Sequence, residues 1–328
     1  VRLFQTSAFG GLLQDAARYF APRFESARGP SRLSAHAVEK DYYLTEMLRL
    51  TSRNIGAPAI FKGGTSLTKG WGLSDRFSED VDLFIDPLAF DPPLGGKAMR
   101  TCMRGLIAAI TGELPLRKRS MPTRARRGIA RTEHLSYESV LPGLAPIPTE
   151  ICLAAGIGSG REPTETAALR SYLSEYIVAT GVEIASADIA PFHMRLLHFR
   201  RTFVEKLFAI DHAVATTGAA GLPLGPYARH YFDLCALSRR PEVIAMLQGP
   251  EYRAIVRDCI EIDRRFYRRA GRDPEAWNFR ACRALFPEAG LSAALQQDYE
   301  RQCEMLCYGE YPPWREVLAR FEVLREWL

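Results

Sequence analysis

The stretch FKGGTSLTKGWGLSDRFSEDVDLFID, Phe61 to Asp86, constrains the fold of this chain more than any other. A short apolar run opened by Pro58, PAIFK, leads straight into Gly63 and Gly64. The segment GGTSLTKGWG reads as a turn and helix start, ended by Gly70 and Gly72. Sixteen positions past the second glycine begins DVDLFI, in which Asp80, Asp82 and Phe84 alternate with Val81, Leu83 and Ile85. Successive side chains of a strand point to opposite faces, so both carboxylates fall on the same side of the sheet.

Two chemistries follow from that arrangement. A glycine turn feeding a helix N-terminus offers outward-pointing backbone N–H groups and a favourable dipole to an anion. Gly63 and Gly64 would admit a phosphate closely, and the Thr65 and Ser66 hydroxyls could donate to it. Two carboxylates on one strand face repel each other unless a cation lies between them. Mg2+, with Mn2+ as the alternative, prefers carboxylate, phosphate and water oxygens. The same letters also fit an ordinary flexible turn and a solvated strand face, and the residues alone leave both accounts open.

Composition excludes several classes. With 47% hydrophobic and 25% charged residues over 328 positions, the chain reads as globular and long enough for two domains. No apolar run reaches the roughly 20 residues needed to cross a bilayer, and the start VRLFQTSAFGG lacks a signal peptide's apolar core. A cytoplasmic protein without membrane contact is expected. Seven scattered cysteines do not form a disulfide framework. Cys303 and Cys307 share a helix face but lack partners for a zinc site. No local motif supports a Ser-His-Asp or Cys-His hydrolase. His193, His198 and His212 fall on segments read as helical, without metal spacing, and Trp277, Tyr311 and Trp314 read as core or interface aromatics.

The net charge of +5 is unevenly spread: RKRSMPTRARRGIAR, Arg117 to Arg131, holds seven basic residues and no acid. Arg117, Lys118, Arg119, Arg124, Arg126 and Arg127 are therefore candidate RNA contacts, with a solvated hairpin face as the equal alternative. A second cluster, EIDRRFYRRAGR, interleaves acids and reads as a solvated helix face.

Along the chain, residues 35–52 and 97–112 carry helical periodicity. The basic segment reads as strands joined by a turn, and PIPTEICLAAG as a further strand with Glu150 and Cys152 on one face. GIGSGREPTE interrupts the pattern. From about residue 192 the chain reads as mostly helical, with TTGAAGLPLGP as a loop between helices. The expected fold is α+β: a lobe with a small mixed sheet over 1–185, then a helical lobe over 186–328.

FKGGTSLTKGWGLSDRFSEDVDL resembles the first motif of the AbiEii/MenT nucleotidyltransferase toxins of the DNA polymerase beta superfamily. VEKDYYLTEML resembles the helix before that motif. RRTFVEKLFAI and ARHYFDLCAL resemble the family's Arg-Thr-x-x-Glu-Lys-Leu and Arg-x-x-x-Asp-Leu helices, so the resemblance spans about residues 36 to 240 in order. It implies Gly63, Gly64 and Thr65 at an NTP triphosphate and Asp80 and Asp82 at the metals. It also implies Lys206 at the phosphates, with Asp233 nearby as a positioning or base-side acid, or as a helix-stabilising partner of Arg229 or Lys206. Lys69 and Ser78 lie inside the motif, and Ser78 could equally cap the turn before the strand. A third carboxylate beside the pair is common in this superfamily. Glu150 is the candidate, helping an acceptor oxygen lose its proton. The interval between Gly64 and Asp80 leaves room for a loop carrying Trp71 and Arg76 toward substrate.

The implied function is Mg-dependent transfer of NMP from an NTP to RNA, best suited to the tRNA 3′ end. The protein would be the toxin of a bacterial toxin–antitoxin or phage-defence pair, with a cognate antitoxin encoded nearby. The alternatives are transfer to a small molecule or a protein hydroxyl, and a non-catalytic NTP-binding module acting through a partner. A two-metal nuclease using the same aspartates is a further rival.

Overall fold

The computed structural model describes the chain except residues 26–28, 30, 79, 120–123, 127–128, 144–146, 217–222, 268–272, 274 and 276, and the side chains of 124–126. Arg127 and most of the TTGAAGLPLGP loop thus lie outside the described residues, and of Arg124 and Arg126 only the backbone is described. The chain divides into two compact units, Val1–Gly72 with Phe77–Leu197, and Leu73–Arg76 with His198–Leu328.

The first unit is built on one sheet. Its strands are β1 (Ala59–Lys62), β2 (Asp80–Ile85), β3 (Arg117–Lys118), β4 (Arg124–Arg126), β5 (Ala130–Ser136), β6 (Glu150–Gly156), β7 (Thr164–Leu169) and β8 (Phe192–Leu197). They lie in the order β3-β5-β6-β2-β1-β8-β7, with β4 also paired to β5. β2 runs antiparallel to β1 and parallel to β6, so the aspartate strand sits mid-sheet. One face is apolar and closed: Val81, Leu83, Ile85, Ile151, Leu153 and Leu135 are all buried.

Around the sheet run α1 (Phe9–Phe24), α2 (Ala35–Ile55), α3 (Gly63–Lys69), α4 (Gly96–Glu113) and α5 (Tyr172–Thr180). α2 packs against α1, α4, α5, β1 and β8, which explains why most of it is buried, charged residues included. Its ends are written in the sequence. Ser34 Oγ accepts from Ala37 N at 3.2 Å as N-cap, and Gly56 closes the helix at φ +72°. Glu46, buried in α2, is held by Arg2 and Arg49, while buried Asp188 accepts from Leu3 N and the Tyr42 hydroxyl. These contacts tie the N-terminal residues to the unit.

The expected boundary at 185 shifts in the structure. β8 lies between β1 and β7, so the sheet unit runs through Leu197. Residues 192–197, read as the start of a helical region, are extended because Met194, Leu196 and Leu197 fill the sheet's core.

The second unit is helical: α6 (Phe199–Thr216), α7 (Arg229–Leu237), α8 (Pro241–Gln248), α9 (Pro250–Ile262), α10 (Ala289–Leu306) and α11 (Trp314–Leu324). α6 buries Phe203, Val204, Leu207, Ile210 and Val214, and packs on α7, α8 and α9. The short segment Leu73–Arg76 belongs here because Arg76 bridges to Cys307 and Tyr308 N donates to Asp75 O at 3.0 Å.

Candidate active site

The site starts from Gly63. Its φ is +78°, a left-handed conformation that side-chain-bearing residues avoid, and a Cβ added there would overlap Asp82 Oδ2. Glycine is thus required twice, for the backbone turn from β1 into α3 and for the space the Asp82 carboxylate occupies. The pairing of β1 with β2 sets this up by placing Lys62 directly opposite Asp82. The Thr65 hydroxyl donates to the Asp80 carbonyl and lies 2.7 Å from Ser78 Oγ, pinning the start of β2 to α3. Ser66, fully buried, donates to Gly63 O at 2.9 Å and shapes the turn.

Lys69 closes the other end of α3. Its ammonium lies 2.6 Å from Asp41 Oδ1 and donates to Arg170 O at 3.0 Å, so it joins α3 to α2 and the approach to α5. The sequence placed Thr65, Ser66, Lys69 and Ser78 together at the nucleotide. In the structure all four side chains are engaged within the protein, bracing the glycine turn and β2.

Across the sheet, the face opposite the apolar one carries the polar residues in two rows. Asp82 aligns with Ala154 of β6 and Thr132 of β5; Asp80 aligns with Cys152 and His134. Asp80 and Asp82 supply hard oxygen donors on one face, which suits a divalent cation completed by water and phosphate oxygens. Among the described residues no group of three or more His, Cys, Asp or Glu side chains gathers to hold a metal.

Glu150 lies on the same face, two residues before Cys152. His134 Nδ1 is 2.7 Å from its Oε1, and Arg119 Nη1 donates to its Oε2 at 2.8 Å. Partial burial would raise its pKa, but the hydrogen bonds from His134 and Arg119 prevail and hold the carboxyl below its ordinary range. It is a carboxylate at neutral pH, committed to two partners. Other described members of the basic segment also have acidic partners. Arg117 pairs with Glu138 at 3.1 Å, Lys118 with buried Glu133 at 3.1 Å, and Arg131 with the same Glu133. The acids missing from that stretch of sequence come from β5, β6 and the residues after β5.

In the second unit Asp233, fully buried, gathers the other predicted residue. Arg76 grips it with both sides of its guanidinium (Nε to Oδ1 2.8 Å, Nη2 to Oδ2 2.7 Å), Lys206 Nζ lies 2.8 Å from Oδ2, and Ser74 Oγ donates at 3.1 Å. Burial would raise the Asp233 pKa, but the Arg76 and Lys206 charges override it and hold the carboxyl far below its usual range. Burial lowers the Lys206 pKa despite Asp233. Lys206 also donates to His230 Nδ1 at 3.1 Å, and burial followed by the Lys206 charge keeps that imidazole neutral. Arg76, expected on a loop facing substrate, is instead buried against Asp233. A guanidinium in that position needs a carboxylate, and Asp233 supplies one. Trp71 donates its indole N–H to Leu197 O at 3.2 Å within the first unit.

The sequence model of the nucleotidyl transferase AbiEii toxins of type IV toxin–antitoxin systems matches residues 47–320. The chain belongs to this family. The match contains the glycine turn, both aspartates, β5, β6, Lys206 and Asp233, and runs well past residue 240, where the recognisable motifs stop. As an AbiEii-family nucleotidyltransferase toxin the protein is one half of a toxin–antitoxin pair, which implies a cognate antitoxin. Among solved structures the chain is similar to MenT4, a nucleotidyltransferase toxin from Mycobacterium tuberculosis H37Rv. The two share 15% identity over 96% of this chain and 99% of that one, with a TM-score of 0.49. No curated protein matches the sequence significantly. Among the described residues no helix is long and apolar enough to cross a membrane.

Sequence reasoning missed His134 and the Arg76–Asp233 pair. The alternation in ARTEHLS could have put Thr132 and His134 on one face. Arg76 and Asp233 are separated by 157 residues and gave no local signal.

Proposed function

We propose that this AbiEii-family protein transfers a nucleoside monophosphate from an NTP to an RNA hydroxyl, best suited to the tRNA 3′ end. The observation that carries this reading is the interlock of Gly63 with the Asp82 carboxylate, with Asp80 on the same strand face. It supports a phosphate-binding turn whose position is fixed against a pair of cation-binding carboxylates. Asp80 and Asp82 would hold Mg2+, which neutralises developing phosphate charge when bound. The turn at Gly63, Gly64 and Thr65 would position the triphosphate. Lys206 keeps the role the resemblance gives it, charge for the phosphates, with Asp233 as its counter-ion. Catalysis of this kind is positioning and electrostatics, without a covalent enzyme intermediate.

Arg117, Lys118 and Arg119, with Arg124, Arg126 and Arg127, are the proposed RNA contacts. The acidic partners of Arg117, Lys118, Arg119 and Arg131 favour a second reading, in which the acceptor is a small molecule or a protein hydroxyl. The deciding experiment incubates the protein with total tRNA, Mg2+ and each labelled NTP separately, and resolves the RNA by length. RNA lengthened by wild type and unchanged with Asp82→Asn supports the first reading. Pyrophosphate release with labelling of another acceptor supports the second. Binding of tRNA that falls steeply with salt marks phosphate contacts.

A further inference from the structure

We propose that His134 is the general base of the transfer reaction and that Glu150 is the residue that positions it. This inference rests on the nucleotidyl-transfer reading and assigns the step which that reading leaves without a base. The acceptor hydroxyl must lose its proton as its oxygen bonds to the α-phosphorus of the NTP. The bond from that phosphorus to the bridging oxygen breaks, and pyrophosphate leaves with the electron pair. Some group must take the proton.

Three observations select His134. First, register: Asp80 of β2, Cys152 of β6 and His134 of β5 stand opposite one another on the same face. Two strand spacings separate the Asp80 and His134 backbones, about 9.6 Å, with Cys152 in the register position between them. Second, orientation: Glu150 lies 2.7 Å from Nδ1. Glu150 is ionised, accepting from Arg119 as well, so Nδ1 must carry the hydrogen and Nε2 the lone pair of the neutral ring. Third, access: His134 is partly exposed, and among the described residues Nε2 has no partner. A ring held by a carboxylate through one nitrogen and open at the other is the arrangement that general-base histidines use.

Glu150 itself is a poorer candidate. Both its oxygens are occupied, and its lowered pKa makes it a weak base. The charged groups at the ring are Glu150 from β6 and, through it, Arg119 beyond β3, with Asp80 of β2 two strands away on the same face; Glu133, Arg131 and Lys118 form their own cluster around a buried carboxylate. The side chains of β4, which pairs with β5 beside Thr132, are not described. Asp233 is excluded as base because Arg76 and Lys206 hold it as a fully committed carboxylate.

The test combines a spectroscopic and a kinetic measurement on the full chain. Two-dimensional 15N–1H spectra of the metal-free, nucleotide-free protein report the imidazole tautomer. Wild type should show the Nδ1–H form for His134, and Glu150→Gln should lose that preference. His134→Gln and His134→Ala should bind NTP and melt like wild type while transferring about 10²- to 10⁴-fold more slowly, with added imidazole restoring part of the rate in the alanine variant. Glu150→Gln should move the acid limb of the pH–rate profile to lower pH, because its carboxylate stabilises the imidazolium. An Nε2–H tautomer in wild type overturns the proposal. So does wild-type transfer by His134→Gln with an unchanged acid limb. If Asp82→Asn is then inactive, the base assignment falls and nucleotidyl transfer stands. A wild-type protein that transfers to no acceptor overturns both.

Discussion

Replacing Gly63 with alanine probes the turn and the carboxylate pair together. Two costs add. Holding alanine at φ +78° costs about 1–2 kcal/mol, because an L side chain crowds the following carbonyl in that region. The new Cβ also overlaps Asp82 Oδ2, so Asp82 must leave its rotamer at about 0.5–1.5 kcal/mol. A total of about 1.5–3.5 kcal/mol lowers the melting temperature of a unit this size by about 3–14 °C. The larger effect is on chemistry: displacing a positioned group by about 1 Å costs on the order of 100-fold in rate. Gly72→Ala is the matched control, since Gly72 has φ +62° with open space where its Cβ would go. It should lose about 1–2 kcal/mol from backbone strain alone and keep its transfer rate and Mg2+-dependent stabilisation. Thermal melts with and without Mg2+, together with single-turnover transfer rates, distinguish the two. Equal losses of rate in both variants, or none in Gly63→Ala, would refute the argument that Gly63 makes room for a working Asp82 carboxylate.

The remaining predictions concern buried charge. Asp233→Asn leaves Arg76 and Lys206 buried without a counter-charge and should cost about 3–5 kcal/mol in a denaturant melt. Lys206→Ala keeps the Arg76–Asp233 pair and should cost less stability, yet slow transfer strongly, with Lys206→Arg a poor rescue because a planar fork replaces a point charge. Unchanged transfer in a folded Lys206→Ala would remove Lys206 from the site. Burial, assisted by Arg200, lowers the His198 pKa to about 4 from the ordinary 6.5. Between those values the unfolded chain binds the extra proton, so this contribution to stability is present above pH 6.5 and is lost as pH falls toward 4. Melts of His198→Gln across that range should lack this component of the pH dependence.

How much of this was readable in the sequence depends on how local each cause is. DVDLFI announced a strand because its alternation is set within six residues, and the burial of Val81, Leu83 and Ile85 follows from it. α2 was readable from its periodicity. α1 was not, because Gly10, Gly11 and Pro22 argue against a helix that Leu12, Leu13, Ala16 and Phe20 stabilise by burial. β8 was hidden because only His198 separates it from α6, and the apolar residues of the two run together. β7 forms at the sheet's edge from TETAAL, a segment with little apolar pattern to betray it. In the candidate site the glycine turn and aspartates were legible for the same local reason. The partners of Glu150 were not, since strand register decides that His134 and Arg119 meet it. Nor was the burial of Arg76, which long-range pairing alone determines.

The central claim, that Asp80 and Asp82 serve metal-dependent nucleotidyl transfer, is tested most directly by one measurement. Purified protein is incubated with tRNA, α-labelled NTP and Mg2+, and labelled RNA and pyrophosphate are quantified for wild type, Asp80→Asn and Asp82→Asn, with melts confirming each fold. The account predicts one pyrophosphate released per nucleotide added by wild type, no product when the cation is chelated, and losses of at least about 100-fold in both variants. Transfer at the wild-type rate by a folded Asp82→Asn protein, or RNA shortened where lengthening is expected, would contradict it.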